Sequence, residues 1–407
     1  MSWNYVKLEE LYSVHNGLSK GGKFFGTGYP FLTFSTVFNN YFIPDELTDL
    51  VQSTDKEQEN YSILRGDVFV TRTSETSDEL GMSCVALKDY PTATYNGFTK
   101  RMRPIEEGRV LPEYIGYYMR MPSFRGEFQA FSTMTTRASL RNEDLLSLKV
   151  ALPSMEIQQK IANILMTYDK LIENSQKQIK LLEEATQRLY KEWFVDLRFA
   201  NYKKHKIVDG LPKGWKKDRA DSFFEITIGK TPPRAEKQWF VSGNEGIKWV
   251  SISDMGKSGP FIYDADEGLT EEAIKKHNMK IVPQGTVLVS FKLTVGRVSI
   301  TTQNMCTNEA IAHFSINDNK LREYTYMYLK MFEYDTLGNT SSISKAVNSK
   351  IIKSMPFVMP SENVIENFSA RVKPFFDLIY SKQRTIIKIT EARDRLLQKL
   401  MNGEIEI

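Results

Sequence analysis

Arg72, Thr73 and Ser74 follow the apolar run GDVFV, and Lys292, Thr294 and Arg297, beside Phe291, follow the matching run GTVLV. Cations and hydroxyls on a loop at the end of a strand suit a polyanion. They bond phosphate oxygens, and Arg or Lys also reads guanine O6 and N7 in the major groove. The same residues on a solvated loop need no partner, so position decides between the two readings. Lys20, Lys23, Lys230 and Arg234 stand beside Gly or Pro near the start of each half of the chain, and Arg137 and Lys345 precede two long apolar-striped segments. These are read as phosphate contacts.

Covalent chemistry finds no comparable set. An adenine methyltransferase needs an Asn/Asp-Pro-Pro-Tyr/Phe turn around the flipped base, but the chain's Pro232-Pro233 lies between Thr231 and Arg234. A motor ATPase needs GxxxxGK[ST] to cradle phosphates, whereas GGKFFGTG and VSGNEG lack the Lys-Ser/Thr ending. Cys84 and Cys306 have no CxxC neighbours, and His15, His205, His277 and His313 are scattered, which argues against a disulfide framework and a cysteine-based zinc site. A nuclease site of dispersed carboxylates has no spacing to search for. The chain reads as non-catalytic.

The elements that position these residues begin with Leu152 to Leu197. Ile157, Ile161, Ile164, Tyr168, Leu171, Ile172, Ile179, Leu182, Ala185 and Leu189 return every three or four residues, with no Gly or Pro after Pro153. That spacing predicts one amphipathic helix, with Ser154 as N-cap and a length of roughly 60 Å. The pattern repeats at the C-terminus with a constant offset of 207 residues. Pro153, Ser154, Leu171, Ile172, Gln176, Ile179, Glu184, Ala185, Arg188 and Leu189 match Pro360, Ser361, Leu378, Ile379, Gln383, Ile386, Glu391, Ala392, Arg395 and Leu396. Two such stripes are expected to bury against each other as a coiled-coil-like pair. Trp193 and Phe194 end the first rod, and Phe375 and Phe376 lie in the second. All four are offered as a partner-binding patch, with packing against the adjacent domain as the alternative for Trp193 and Phe194.

Before each rod, short apolar alternations such as PFLTFSTVF, SCVALKDY and GIKWVSISD are broken by Gly, Pro, Asn and Ser, which predicts strands and turns. PEYIGYYMRMP and REYTYMYLKMF have helical spacing. The expected fold is therefore α+β. Two globular domains (1–151 and 215–358) alternate with two long helices (152–198 and 359–407), and a Lys-rich linker (199–214) joins the halves. This is an internal duplication, pseudo-twofold if the helices pair antiparallel.

The 407 residues and 41% hydrophobic content suffice for two or three domains with real cores. No apolar run approaches the 18 or so residues of a membrane span, and the N-terminus lacks the layout of a signal peptide, so a cytoplasmic location is expected. Residues 1–200 hold 23 Lys and Arg against 26 Asp and Glu, and residues 201–407 hold 31 against 24. The halves carry −3 and +7, too little to prove or exclude a nucleic-acid partner.

Four segments carry a resemblance across the whole chain. They are Leu152-Pro153 with Gln158, Gln159 and Ile161; YKEWFVDLRF (190–199); LPKGW (211–215); and the C-terminal ARDRLLQKLMNGEIEI. In this order and duplication the chain resembles the specificity subunits of type I restriction-modification enzymes. The resemblance implies a DNA-recognition scaffold: each globular domain reads one half of a split target, and the helices separate the domains. It further implies docking of two methyltransferase subunits and of restriction subunits. S-adenosylmethionine, ATP and Mg²⁺ then belong to those partners, and this chain needs no cofactor. Two rivals remain: a coiled-coil adaptor that never touches DNA, and a self-sufficient enzyme.

Overall fold

The structure, a computed structural model, describes residues 3–74, 80–130, 138–337 and 347–407. Its compact units are Met1–Ile172 with Ile389–Ile407, and Glu173–Lys388. Both boundaries fall inside a long helix, Met155–Tyr190 or Glu362–Met401.

In the first unit Tyr12–Asn16, Thr99–Pro104, Val68–Thr71 and Ser83–Val85 form an antiparallel sheet in that order. Strand Phe25–Leu32 pairs antiparallel with Leu50–Val51 and parallel with Thr94–Tyr95. Alternation along a strand sends neighbours to opposite faces, and both faces of Val68–Thr71 are covered. Val68 and Val70 join Tyr114, Tyr117 and Phe128 in one cluster, while Phe69 joins Leu32, Cys84 and Tyr95 in another. The first strand, Tyr5–Lys7, returns to pair with Lys149–Ala151, so the domain closes just before the first long helix.

The second unit repeats this plan. Ile226–Ile228, Ile311–Phe314, Val287–Ser290 and Val298–Thr301 form the matching sheet, extended by Phe261–Ile262. Lys216–Arg219 pairs with Pro356–Met359 as the closing ribbon. The duplication reaches single hydrogen bonds. Gly17 N donates to Thr99 O at 3.2 Å and Gly229 N to Ile311 O at 3.1 Å. Leu18 N and Lys230 N reach Tyr95 O and Thr307 O. Tyr114 Oη reaches Ala151 O as Tyr324 Oη reaches Val358 O. A Cβ on Gly17 would meet Asn96 O at 2.0 Å, and one on Gly229 would meet Asn308 O at 2.2 Å, so only glycine lets these crossings close. Short helices start at matching hydroxyl caps, Thr33 with Ser251 and Thr54 with Thr270, each satisfying an otherwise orphaned N–H.

Within each unit the long helices pack antiparallel. In the first, Ile161 and Leu165 share a core with Leu397, Leu400 and Met401, while Asp169 further along reaches back to Arg393. In the second, Ile179 and Lys180 flank Gln383 and Ile386, and Thr186 flanks Phe376 and Ile379. Trp193 packs tilted against Phe368, ring centroids 5.8 Å apart. Past Tyr190 the first helix widens into a π-helical turn over Lys191–Val195.

The aromatic residues offered as a partner-binding patch are corrected here. Trp193 is 3% exposed and Phe376 is 1% exposed, both inside the core of the second unit. Phe194 is half-buried with its ring 4.7 Å from Tyr324 and 4.9 Å from Phe368. Of the four, only half-buried Phe375 has no recorded ring partner among the described residues. The others fill the space between helix and domain, where each large apolar side chain contributes about 1.5 to 3 kcal/mol. Residues 199–214 include a hairpin, Ile207–Val208 with Leu211–Pro212, and are anchored by buried Phe199 against Trp215 at 5.4 Å.

Candidate nucleic-acid interface

Three loops converge in the second unit because strands that neighbour in the sheet end together. Lys230 N bonds Thr307 O at 3.0 Å, and Phe291 N bonds Ala310 O at 2.9 Å. Segments 229–234, 291–297 and 307–310 thus form one surface. Asn308 Oδ1 accepts from Ala310 N at 3.1 Å, setting the third loop as an Asx turn. Asn96 does the same for Phe98 N at 2.7 Å in the first unit, where Leu18 N meets Tyr95 O and Arg72 N meets Phe98 O.

The predicted residues divide by what already holds them. Lys292 and Thr294 are exposed, with Lys292 Nζ 5.7 Å from the Phe291 ring. Lys230 is exposed, and among the described residues its ammonium donates only a long bond, 3.3 Å, to Asn278 O. Arg234 lies over Phe240 and Trp249 at 4.3 and 4.5 Å and pairs with Glu267 at 2.8 Å. Arg297 turns inward: its guanidinium bonds Ile252 O and occupies the space a Cβ on Gly256 would take. That makes Arg297 a brace for the 291–297 loop. Ser290 braces it too, since its Oγ donates to Thr294 O at 2.6 Å and accepts from Arg297 N at 3.0 Å.

In the first unit Lys23 is exposed, 5.1 Å from the Phe24 ring. Lys20 is already neutralised, bonded to Glu57 at 2.7 Å and to Gln52 O. Arg72 is half-buried, and its guanidinium has no hydrogen-bond or ion-pair partner among the described residues. Burial and the nearby Arg72 charge lower the Lys100 pKa, so positive charge is concentrated here. Thr73 is half-buried in strand Thr73–Ser74, which pairs with Ala138–Ser139. Arg137, Lys345 and the Ser74 side chain lie outside the described residues.

Sequence reasoning missed three residues on these surfaces. Glu309 bonds Thr231 and faces Lys292 and Arg234. Burial acts to raise its pKa, but that bond and those charges outweigh it and hold the carboxyl below the usual range. Phe98 is 56% exposed at its loop tip, and the Asn96-Gly97 pair before it is a turn signal that could have shown this. Leu293 is 95% exposed with φ +57°. A leucine in that left-handed conformation costs about 1 to 2 kcal/mol, and composition gives no sign of it.

Among the described residues no group of three or more His, Cys, Asp or Glu is placed to hold a metal ion. The surfaces offer hydrogen-bond donors, cations and two apolar tips, which is equipment for recognition.

The family model for the type I restriction modification DNA specificity domain matches residues 1–184 and 212–406. The MjaIX specificity subunit of Methanocaldococcus jannaschii is 24% identical, the match covering 100% of this chain and 94% of that protein. The HindI specificity subunit of Haemophilus influenzae is 23% identical over 92% of this chain and 94% of that protein. Among solved structures, the type I restriction-modification S subunit from M. genitalium superposes with a TM-score of 0.54 at 14% identity, covering 98% of this chain and 96% of that one. At that identity the likeness speaks for the fold alone.

Proposed function

The chain belongs to the type I restriction modification DNA specificity family, and on that premise we propose that it reads a bipartite double-stranded DNA target with a non-specific spacer. Each unit reads one half through its three converging loops. The observation that carries this is the repeated frame: the same main-chain bonds bring loops 17–23, 72–74 and 96–98 together in one unit and 229–234, 291–297 and 307–310 in the other. The frame is shared while the side chains on it differ, Arg72 standing where Phe291 stands and Phe98 where Ala310 stands. That is the expected design for two readers of unlike half-sites. The chain is the non-catalytic member of its assembly, working in the cytoplasm. Its long helices dock two methyltransferase subunits and restriction subunits, and those partners hold S-adenosylmethionine, ATP and Mg²⁺.

The test is selection from a random duplex library by the full chain co-purified with its methyltransferase partner, followed by binding over a salt series. A split consensus and a steep fall of affinity with salt are expected. An adaptor of the coiled-coil kind selects nothing and binds no duplex at any salt concentration. A self-sufficient enzyme modifies or cuts DNA when the chain alone receives cofactor and Mg²⁺.

A further inference from the structure

We propose that Leu293 is a specificity-determining contact of the second unit, packing its side chain on the C5 methyl of one thymine in the major groove. The inference rests on the DNA-reading function above and names one letter-reading group within it. Three observations converge on this leucine. It is 95% exposed, at φ +57°, so it loses both apolar burial and backbone comfort where Gly, Asn or Asp would lose neither. Its loop is held at the base by Ser290 Oγ, by Gly296 N donating to Ser290 O at 2.9 Å, and by the inward-turned Arg297. The tip is thus presented by a fixed support. Its neighbours Lys292 and Thr294 are exposed cation and hydroxyl, the side chains that bond base edges in the major groove. There the thymine methyl is the apolar feature of an A·T pair.

The probe is the duplex selected by the full chain with its methyltransferase partner, with each thymine of the half-site read by residues 215–358 replaced in turn by deoxyuridine, which lacks only the methyl. For the wild type, one replacement is expected to weaken binding roughly fourfold, the worth of one buried methyl-sized group. For Leu293→Ala the thymine and deoxyuridine duplexes should bind alike at that position. Leu293→Asn, with a residue that tolerates the left-handed conformation, should melt at the same or a higher temperature while losing the same discrimination. The inference fails alone if the complex selects a target but no thymine is sensitive, if the sensitivity survives in Leu293→Ala, or if the variant weakens all sequences equally. A complex that selects no sequence overturns the DNA-reading function and this inference together.

Discussion

Asp169 and Arg393, 224 residues apart, meet at 2.5 Å between the two long helices of the first unit. The Tyr117 hydroxyl bonds the other carboxylate oxygen, and the Tyr41 ring lies 5.2 Å from the guanidinium. Burial works against the Arg393 charge, yet the bond and charge of Asp169, with Asp394, outweigh it and raise the pKa above the ordinary value for arginine. The pair therefore ties the end of one rod to the start of the other and to the domain beneath. Asp169→Ala strands a half-buried cation and a buried tyrosine hydroxyl. We expect a loss of about 2 kcal/mol from the urea transition of the first unit. An unchanged midpoint would show that Asp394 suffices.

His313 gives the second unit a pH limit. It is fully buried between two hydroxyls, Nδ1 2.8 Å from Thr227 Oγ1 and Nε2 2.7 Å from Thr307 Oγ1. Burial, assisted by the Lys280 charge, pushes its pKa down to about 4. An unfolded histidine takes up its proton near pH 6.5. The folded state keeps the ring neutral, so stability is complete above about pH 6.5 and is lost as pH falls toward 4. Between pH 7 and pH 5 the loss should be about 2 kcal/mol. His313→Gln, which does not titrate, should lose less over the same interval in paired denaturation curves.

Lysines on the two loop surfaces should separate by their partners. Lys292→Ala removes an exposed cation that has no carboxylate bond among the described residues and is expected to cost about 1 to 3 kcal/mol of binding, relaxing one target position. Uniform weakening with a shallower salt slope would place Lys292 on a phosphate instead. Lys20→Ala, already paired with Glu57, should change binding less than either outcome. Arg297→Ala should show itself first in the melting temperature, because its guanidinium is a fastening.

Exchange of residues 1–151 for the matching segment of another family member should alter one half of the methylated target and leave the other intact. Methylome sequencing of the recipient strain reads both halves at once. A change in both halves, or in neither, would refute separate readers.

The long helices were legible in sequence because a stripe at helical spacing survives any neighbour, and the 207-residue offset exposed the duplication without an alignment. The strands were legible at Val68–Thr71 and Val287–Ser290, whose continuous apolar runs are what burial on both faces demands. Side-chain direction was not legible. Trp193 and Phe376 offered themselves as a partner-binding patch, since the core they fill is built from segments distant in sequence. Arg297 read as a DNA contact, since nothing local reveals the Ile252 carbonyl that captures it. Leu293 read as nothing at all, because hydropathy assigns leucine to the interior.

The crossings at Gly17 and Gly229 predict an uneven tolerance to mutation along the chain. A methyl at either glycine collides with a backbone oxygen that no rotamer change can move, whereas Gly21 and Gly22, a few residues beyond the first crossing, have nothing within 4 Å of an added Cβ. In a saturation library, alanine should be purged at 17 and 229 and accepted at 21 and 22. If the loops are the readers proposed above, they can drift toward new targets as long as the two crossing glycines stay bare, so that letters are replaceable while the frame that carries them is not.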